Sequence, residues 1–177
     1  MMRRALDALY AASGAAAVAF LFLIAILTIA QMIGRLIGRP VPSADDFAGF
    51  CMAGSVFLGM TYTLRAGGHI RVLTLLTRVA PAQRRALEIL VAVASALIVG
   101  TLTWYATDML LDTRRFGEYT LGVVPLPKWI PMLFMVSGLL VFLIAIVDEL
   151  VKLLRGQKPL YVAREEEAET SIGSTAE

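Results

Sequence analysis

The chain has 177 residues, of which 58% are hydrophobic and 17% are charged, and its formal net charge is +2. A soluble domain of this length carries more charge to wet its surface, so this composition argues against a soluble fold. The net charge is small and the basic residues flank apolar runs, which argues against a basic groove for nucleic acid. The single cysteine, Cys51, allows neither an internal disulfide nor a thiol metal cluster.

Four apolar runs are long enough to cross a bilayer, whose hydrocarbon core of about 30 Å needs about 20 helical residues. They predict an all-α integral membrane protein with spans over residues 11–33, 47–64, 87–106 and 129–147. The first run is longer than the apolar region of a secretory signal peptide, so we interpret it as an anchor and first span. One four-span membrane domain over residues 1–155 and a flexible cytoplasmic tail over residues 156–177 are therefore predicted.

The turn between the first two spans contains two prolines and ends in an acidic pair, Asp45 and Asp46. Ser43 and Asp46 have the spacing of a capping box, in which side chains accept hydrogen bonds from the free amides of a helix start. Helix capping is one interpretation of the acidic pair. Contact with a periplasmic or membrane partner is the other.

The connection between the second and third spans is RAGGHIRVLTLLTRVAPAQRR, from Arg65 to Arg85, with five arginines and no acidic residue. Basic residues near the ends of spans are retained on the cytoplasmic side. From His69 to Ala80, apolar and polar residues alternate as on a one-sided helix of about three turns. This pattern predicts a short interfacial amphipathic helix between spans 2 and 3. A satisfied interfacial histidine is favoured over a ligand-binding one.

Small residues four apart follow one face of the third span, at Ala92, Ala96 and Gly100. Such a stripe predicts close approach of another helix, because lipid provides no hydrophobic drive for helix association.

Aromatic residues occur at the ends of the last two spans. Trp104 and Tyr105 are typical of a membrane interface, and the mixed charges after them predict an aqueous loop from Asp108 to Glu118. Trp129, at the start of the fourth span, is interpreted as an interfacial anchor.

Basic residues are unevenly distributed between the two sides of the predicted membrane domain. The side with both termini has eleven: two before the first span, five in the arginine-rich connection and four after the last span. The other side has five. This bias predicts that both termini are cytoplasmic.

Chemistry-bearing groups are sparse in this sequence. His69 is the only histidine, which excludes a bis-histidine haem within the chain, and there is no GxxxxGK[ST] phosphate loop. An ionisable residue at mid-membrane marks an ion or proton path. The central turns of all four predicted spans lack one, since Glu88, Asp108 and Asp148 fall at span ends. We therefore predict no catalytic, cofactor, metal or substrate site, which argues against a complete transporter.

The order of these features resembles the small membrane (DctQ-like) subunit of tripartite ATP-independent periplasmic (TRAP) transporters. The likeness covers about residues 9–155 and rests on the acidic pair, on YTLRAGGHIRV (residues 62–72) and on PLPKW (residues 125–129). It departs from the family at Leu73, where an acidic residue is frequent, and in its Asp pair, where Glu is frequent. The predicted family-motif or partner-interface residues are Asp45, Asp46, Arg65, Gly67, Gly68, His69, Ile70, Ala92, Ala96, Gly100, Pro127 and Trp129.

The resemblance implies a multi-pass protein of the bacterial inner membrane that is not an enzyme and has no cofactor. Its partners would be a large (DctM-like) permease subunit, a periplasmic solute-binding receptor and the lipid bilayer. In this family the large subunit moves as an elevator beside a static small scaffold. The implied activity is symport, with sodium driving organic acid uptake. Two alternatives stay open: a membrane-anchor or electron-transfer subunit of another complex, and a self-sufficient small carrier.

Overall fold

The computed structural model describes residues 2–65 and 81–156. These residues form four helices, α1 (Met2–Leu36), α2 (Ala44–Arg65), α3 (Pro81–Phe116) and α4 (Trp129–Leu154). All four are long and apolar enough to cross a membrane. The prediction of a four-span, all-α membrane protein is therefore confirmed. The interfacial helix predicted between spans 2 and 3 lies outside the described residues.

The third helix is longer than the predicted third span. α3 continues beyond Trp104 through Asp108 and ends at Phe116, so the prediction of an aqueous loop beginning at Asp108 was wrong. Charge marks where a span leaves the hydrocarbon, but it does not end a helix whose backbone hydrogen bonds continue. The helix ends at Gly117, whose φ of 61° lets the Glu118 amide donate to the Thr113 carbonyl at 3.2 Å.

The described residues pack as two compact units. One unit consists of residues within Met1–Tyr62 and Thr101–Phe142, and the second of residues within Thr63–Gly100 and Leu143–Glu177. The first unit thus contains α1, nearly all of α2, the second half of α3 and the first half of α4. The second unit contains the first half of α3 and the second half of α4.

In the first unit, α1 and α2 pack as an antiparallel pair. The Ser13 hydroxyl donates to the Leu58 carbonyl at 2.7 Å, and further along α1 the Phe20 ring covers Gly54, where a Cβ would lie 3.1 Å from the ring. Residue numbers increase along α1 as they decrease along α2, which defines the antiparallel direction. Small residues at the contact allow this approach, as van der Waals packing is the main attraction between helices in lipid.

The first half of α4 packs against α2 in the same unit. Gly138 lies on the α2 backbone, because a Cβ at this position would be 2.5 Å from the carbonyl carbon of Phe57 and 2.7 Å from the amide nitrogen of Leu58. Phe134, one turn earlier, contacts Phe20 of α1 edge to face, with ring centroids 5.0 Å apart. These contacts bring α1, α2 and α4 together around buried Leu58.

In the second unit, the end of α4 holds a buried ammonium group. Lys152 Nζ lies 2.6 Å from Asp148 and 3.0 Å from Glu149, and the Lys152 side chain is only 10% exposed. Arg85 of α3 donates to the Leu153 carbonyl at 3.4 Å. The last turn of α4 is thus tied to the start of α3, and a cation near a helix C-terminus is favoured by the helix dipole.

Candidate functional site

Asp45 belongs to a polar group that joins the end of α1 to the start of α2. Its carboxylate accepts a hydrogen bond from Gln31 Nε2 at 2.8 Å and lies 3.7 Å from Arg35 Nη2. The Arg35 and Asp45 side chains are both exposed, so their ion pair contributes only about 0–1 kcal/mol. The group connects the two ends of the turn and leaves the Asp45 carboxylate accessible.

Asp46, the second acidic residue, faces the loop between α3 and α4. A Cβ on Gly122 of that loop would clash with the Asp46 carboxylate and would lie 2.9 Å from the Ser43 hydroxyl. Only glycine fits there without displacing these side chains. The sequence did not single out Gly122, because a contact between segments so far apart in the chain leaves no local signal.

The Ser43 hydroxyl does not act as the sequence predicts. It accepts a hydrogen bond from the Val124 amide at 3.0 Å, so the predicted capping-box partner was wrong. Ser43 has a φ of 54°, outside the extended conformation usual for a capping residue, while its carbonyl accepts from the Phe47 amide at 3.1 Å. Ser43 therefore begins α2 through its backbone and holds the loop through its side chain.

The loop before α4, residues 117–128, is closed by its own hydrogen bonds. The Thr120 amide donates to the Leu126 carbonyl at 2.8 Å, and the Lys128 amide donates to the Glu118 carbonyl at 3.0 Å. These bonds flank an antiparallel bridge between Tyr119 and Pro127. Pro127 thus occupies a position that makes no ladder hydrogen bond, where its missing N–H costs nothing. This bridge position explains how the second proline of the PLPKW motif is accommodated in the loop.

The same loop is fastened at its base by two charged contacts. Lys128 Nζ lies 3.1 Å from Glu118 Oε2. The Arg114 guanidinium carbon lies 5.6 Å from the centroid of the Trp129 ring, a cation–π contact of about 0.5–1 kcal/mol at such sites. Trp129 therefore joins the end of α3 to the start of α4, in addition to the interfacial role that its position predicts.

The small-residue stripe of α3 is only partly in contact within the chain. Ala92, Ala96 and Gly100 are all half-buried, and a Cβ on Gly100 would lie at an ordinary 3.9 Å from Leu143. The close helix contact is instead at Gly138 of α4. The sequence did not indicate this contact, because Gly138 is an isolated glycine and lacks the spacing of a small-residue stripe.

The remaining motif residues lie at or beyond the end of the described first segment. Arg65 is the last residue of α2 and is half-buried. Gly67, Gly68, His69 and Ile70 lie outside the described residues.

The structure identifies no reactive centre within residues 2–65 and 81–156. These residues include no group of three His, Cys, Asp or Glu side chains that could hold a metal ion. Cys51 is buried in α2. Thr61 is fully buried, and its hydroxyl makes no hydrogen bond in this part of the chain.

A family model for tripartite ATP-independent periplasmic transporters, DctQ component, matches residues 24–156. The chain belongs to the DctQ family. The matched region contains all twelve predicted motif or interface residues, from Asp45 to Trp129. A DctQ chain is a subunit of a TRAP transporter, and its four apolar helices make it a multi-pass protein of the inner membrane.

The DctQ chain is also similar to the ectoine TRAP transporter small permease protein TeaB of Halomonas elongata. The two are 27% identical over 122 residues, which is 66% of this chain and 63% of the relative. The chain thus spans somewhat less than two thirds of the length of that relative.

Proposed function

We propose that this DctQ chain is the small scaffold permease subunit of a TRAP-type secondary transporter. It braces a large, DctM-like elevator subunit, which takes up an organic acid that a periplasmic receptor delivers. A sodium gradient drives the uptake. The chain itself provides no catalytic group and binds no cofactor.

The distribution of charge carries this proposal. Residues 8–34, 47–64, 89–107 and 129–147, which make up the spans, include no Asp, Glu, Lys, Arg or His. A carrier that couples transport to an ion needs ionisable or ion-coordinating groups at depth. A subunit whose spans contain no ionisable residue is suited to support a neighbour that has such residues. The family match supports the same division of labour, since it makes the chain a component of a multi-part transporter.

The proposed orientation places both termini in the cytoplasm. Its support is the excess of basic residues on the side of the termini, eleven against five. On this topology, the Gln31–Asp45–Arg35 group and the loop of residues 117–128 face the periplasm. The Gln31–Asp45–Arg35 group is then accessible to a receptor as well as to the large subunit.

The substrate class is the least constrained part of the proposal. TeaB is named as the small permease protein of an ectoine TRAP transporter. On the scaffold proposal, selectivity resides in the receptor and the large subunit. Substitutions in this chain are therefore expected to change the rate of uptake and leave the choice of solute unchanged.

Deletion and affinity purification test the proposal. Cells that lack this chain but keep the large subunit and the receptor should lose uptake, and a tagged copy should restore it and co-purify with the large subunit. Full uptake without this chain, or purification of a working transporter that lacks it, would contradict the scaffold function.

A further inference from the structure

The tip of the loop between α3 and α4 exposes apolar side chains without any charge. Residues 119–127 read YTLGVVPLP. The side chains of Leu121 and Val123 are 101% and 81% exposed, and Tyr119 is also exposed. Single exposed apolar residues are ordinary, but an uncharged stretch of nine residues that exposes Tyr119, Leu121 and Val123 together is unusual for a loop in water.

Two helices place this loop at the edge of the hydrocarbon. The uncharged residues 47–64 of α2 and 129–147 of α4 extend about 27 Å and about 29 Å at 1.5 Å per residue, close to the hydrocarbon core of about 30 Å. Asp46 comes directly before the first stretch and Lys128 directly before the second. The loop contacts Asp46 through Gly122 and continues into Trp129. It therefore lies where both apolar stretches begin.

The backbone of the loop is prepared for an environment poor in water. The amides of Thr120, Val124, Leu126 and Lys128 donate to Leu126 O, Ser43 Oγ, Thr120 Oγ1 and Glu118 O, respectively. Pro125 and Pro127 have no amide hydrogen. An amide without a hydrogen-bond acceptor is costly near hydrocarbon. From residue 124 to residue 128, every backbone nitrogen of this loop either donates a hydrogen bond or belongs to a proline.

The charges at its base do not oppose burial of the tip. Glu118 and Lys128 pair with each other at 3.1 Å, and Arg114 lies over the Trp129 ring, so each of these charges has a partner. Trp129 follows directly, and tryptophan is enriched at the boundary between headgroups and acyl chains.

We infer that residues 119–127 form an interfacial wedge, which inserts Leu121 and Val123 among the lipid headgroups and upper acyl chains beside α2 and α4. The occupant of this apolar surface is the bilayer. The inference rests on the membrane fold and is independent of the transport proposal.

Site-directed spin labelling tests the wedge. In a Cys51→Ala background, nitroxide labels are attached at Leu121→Cys and, separately, at Val123→Cys in the full chain. The protein is placed in bilayers of phosphatidylethanolamine and phosphatidylglycerol, with and without its large subunit. Arg39→Cys, in the exposed charged turn between α1 and α2, is the matched control. Neither labelled side chain is buried, so both substitutions should preserve the fold.

The wedge predicts that labels at 121 and 123 collide readily with dissolved oxygen and poorly with a water-soluble nickel complex. The ratio of the two collision rates should be several-fold higher than at position 39. Nickel accessibility equal to that at position 39 would overturn the inference and make the segment an aqueous loop. Protection from both reagents would also overturn it and identify a protein partner on this surface.

Discussion

The Cα of Gly138 lies against the carbonyl group of Phe57, so closely that a Cβ at position 138 would be 2.5 Å from the carbonyl carbon. Real Cβ atoms do not approach backbone atoms to this distance. Since the obstacle is the backbone of α2, rotation of a side chain cannot relieve it. The contact thus fixes how deeply α4 packs onto α2 in the first unit.

Gly138→Ala should destabilise the protein by about 1–3 kcal/mol, the usual cost of overpacking a well-packed contact. Gly49→Ala in α2 is the matched control, because nothing lies within 4 Å of a Cβ at that position. The control should be neutral or stabilising by about 0.5–1 kcal/mol, since alanine favours a helix interior. Thermal unfolding in detergent measures both. Equal melting temperatures for the two variants would show that the Gly138 contact is not tight.

The four spans were predictable from the sequence, and the inter-helix contacts were not. A run of about 20 apolar residues is a strong signal because the bilayer sets its length. Gly138 and Ser13 give no such signal, because their partners, Phe57 and Leu58, are far away in the chain. Gln31 shows the same limit: its polarity was visible, but its hydrogen bond to Asp45 depends on the turn between α1 and α2.

For some of the site residues chosen from the sequence, the structure adds information about their surroundings. Pro127 was chosen for its motif, and the structure adds that it occupies a bridge position without a hydrogen bond. The stripe at Ala92, Ala96 and Gly100 was chosen for its spacing, but its residues remain half-buried within this chain. Small residues four apart indicate a helix face with short side chains. They do not indicate which helix covers that face. The partner-interface role of this stripe stays a prediction.

Gly100→Leu should weaken co-purification with the large subunit, because a leucine side chain would prevent close approach of a partner helix to the small-residue face of α3. Gly100→Ala should have little effect, since a Cβ there makes an ordinary contact with Leu143 at 3.9 Å. Ala94→Leu, an exposed position outside the stripe, is the control and should co-purify normally. Pull-down yield and uptake are the measurements. If Gly100→Leu retains both at the control level, the stripe faces lipid.

Lys152→Met should destabilise the second unit by about 3 kcal/mol or more, because it leaves two carboxylates near each other with little solvent. The Glu149 side chain is 12% exposed. Lys128→Met is the control, since it breaks an exposed pair worth at most about 1 kcal/mol. Denaturant unfolding in mixed micelles compares the two.

The cause of the stability loss in Lys152→Met can be tested by neutralising the two carboxylates that pair with Lys152. Adding Asp148→Asn and Glu149→Gln to Lys152→Met should recover part of the stability, as the repulsion is removed. No recovery would show that the lysine stabilises α4 through packing of its aliphatic chain instead.

The proposed topology makes a prediction about two fusion sites. Alkaline phosphatase fused after Lys158 should be inactive and green fluorescent protein fused there should fluoresce, because this site is cytoplasmic. At Gly117, on the opposite side of the membrane, the two reporters should give the reverse result. The same side for both sites would refute a single crossing between residues 117 and 158, and with it the four-span topology.

Reconstituted uptake tests the central claim most directly. The chain alone, its large subunit alone, and the two together are placed in proteoliposomes, and receptor-delivered solute uptake is measured under a sodium gradient. The scaffold account predicts solute uptake by the two subunits together. With this chain alone, uptake should equal that of liposomes without protein. Gradient-driven uptake by this chain alone would contradict the account, because its spans would then contain a transport path.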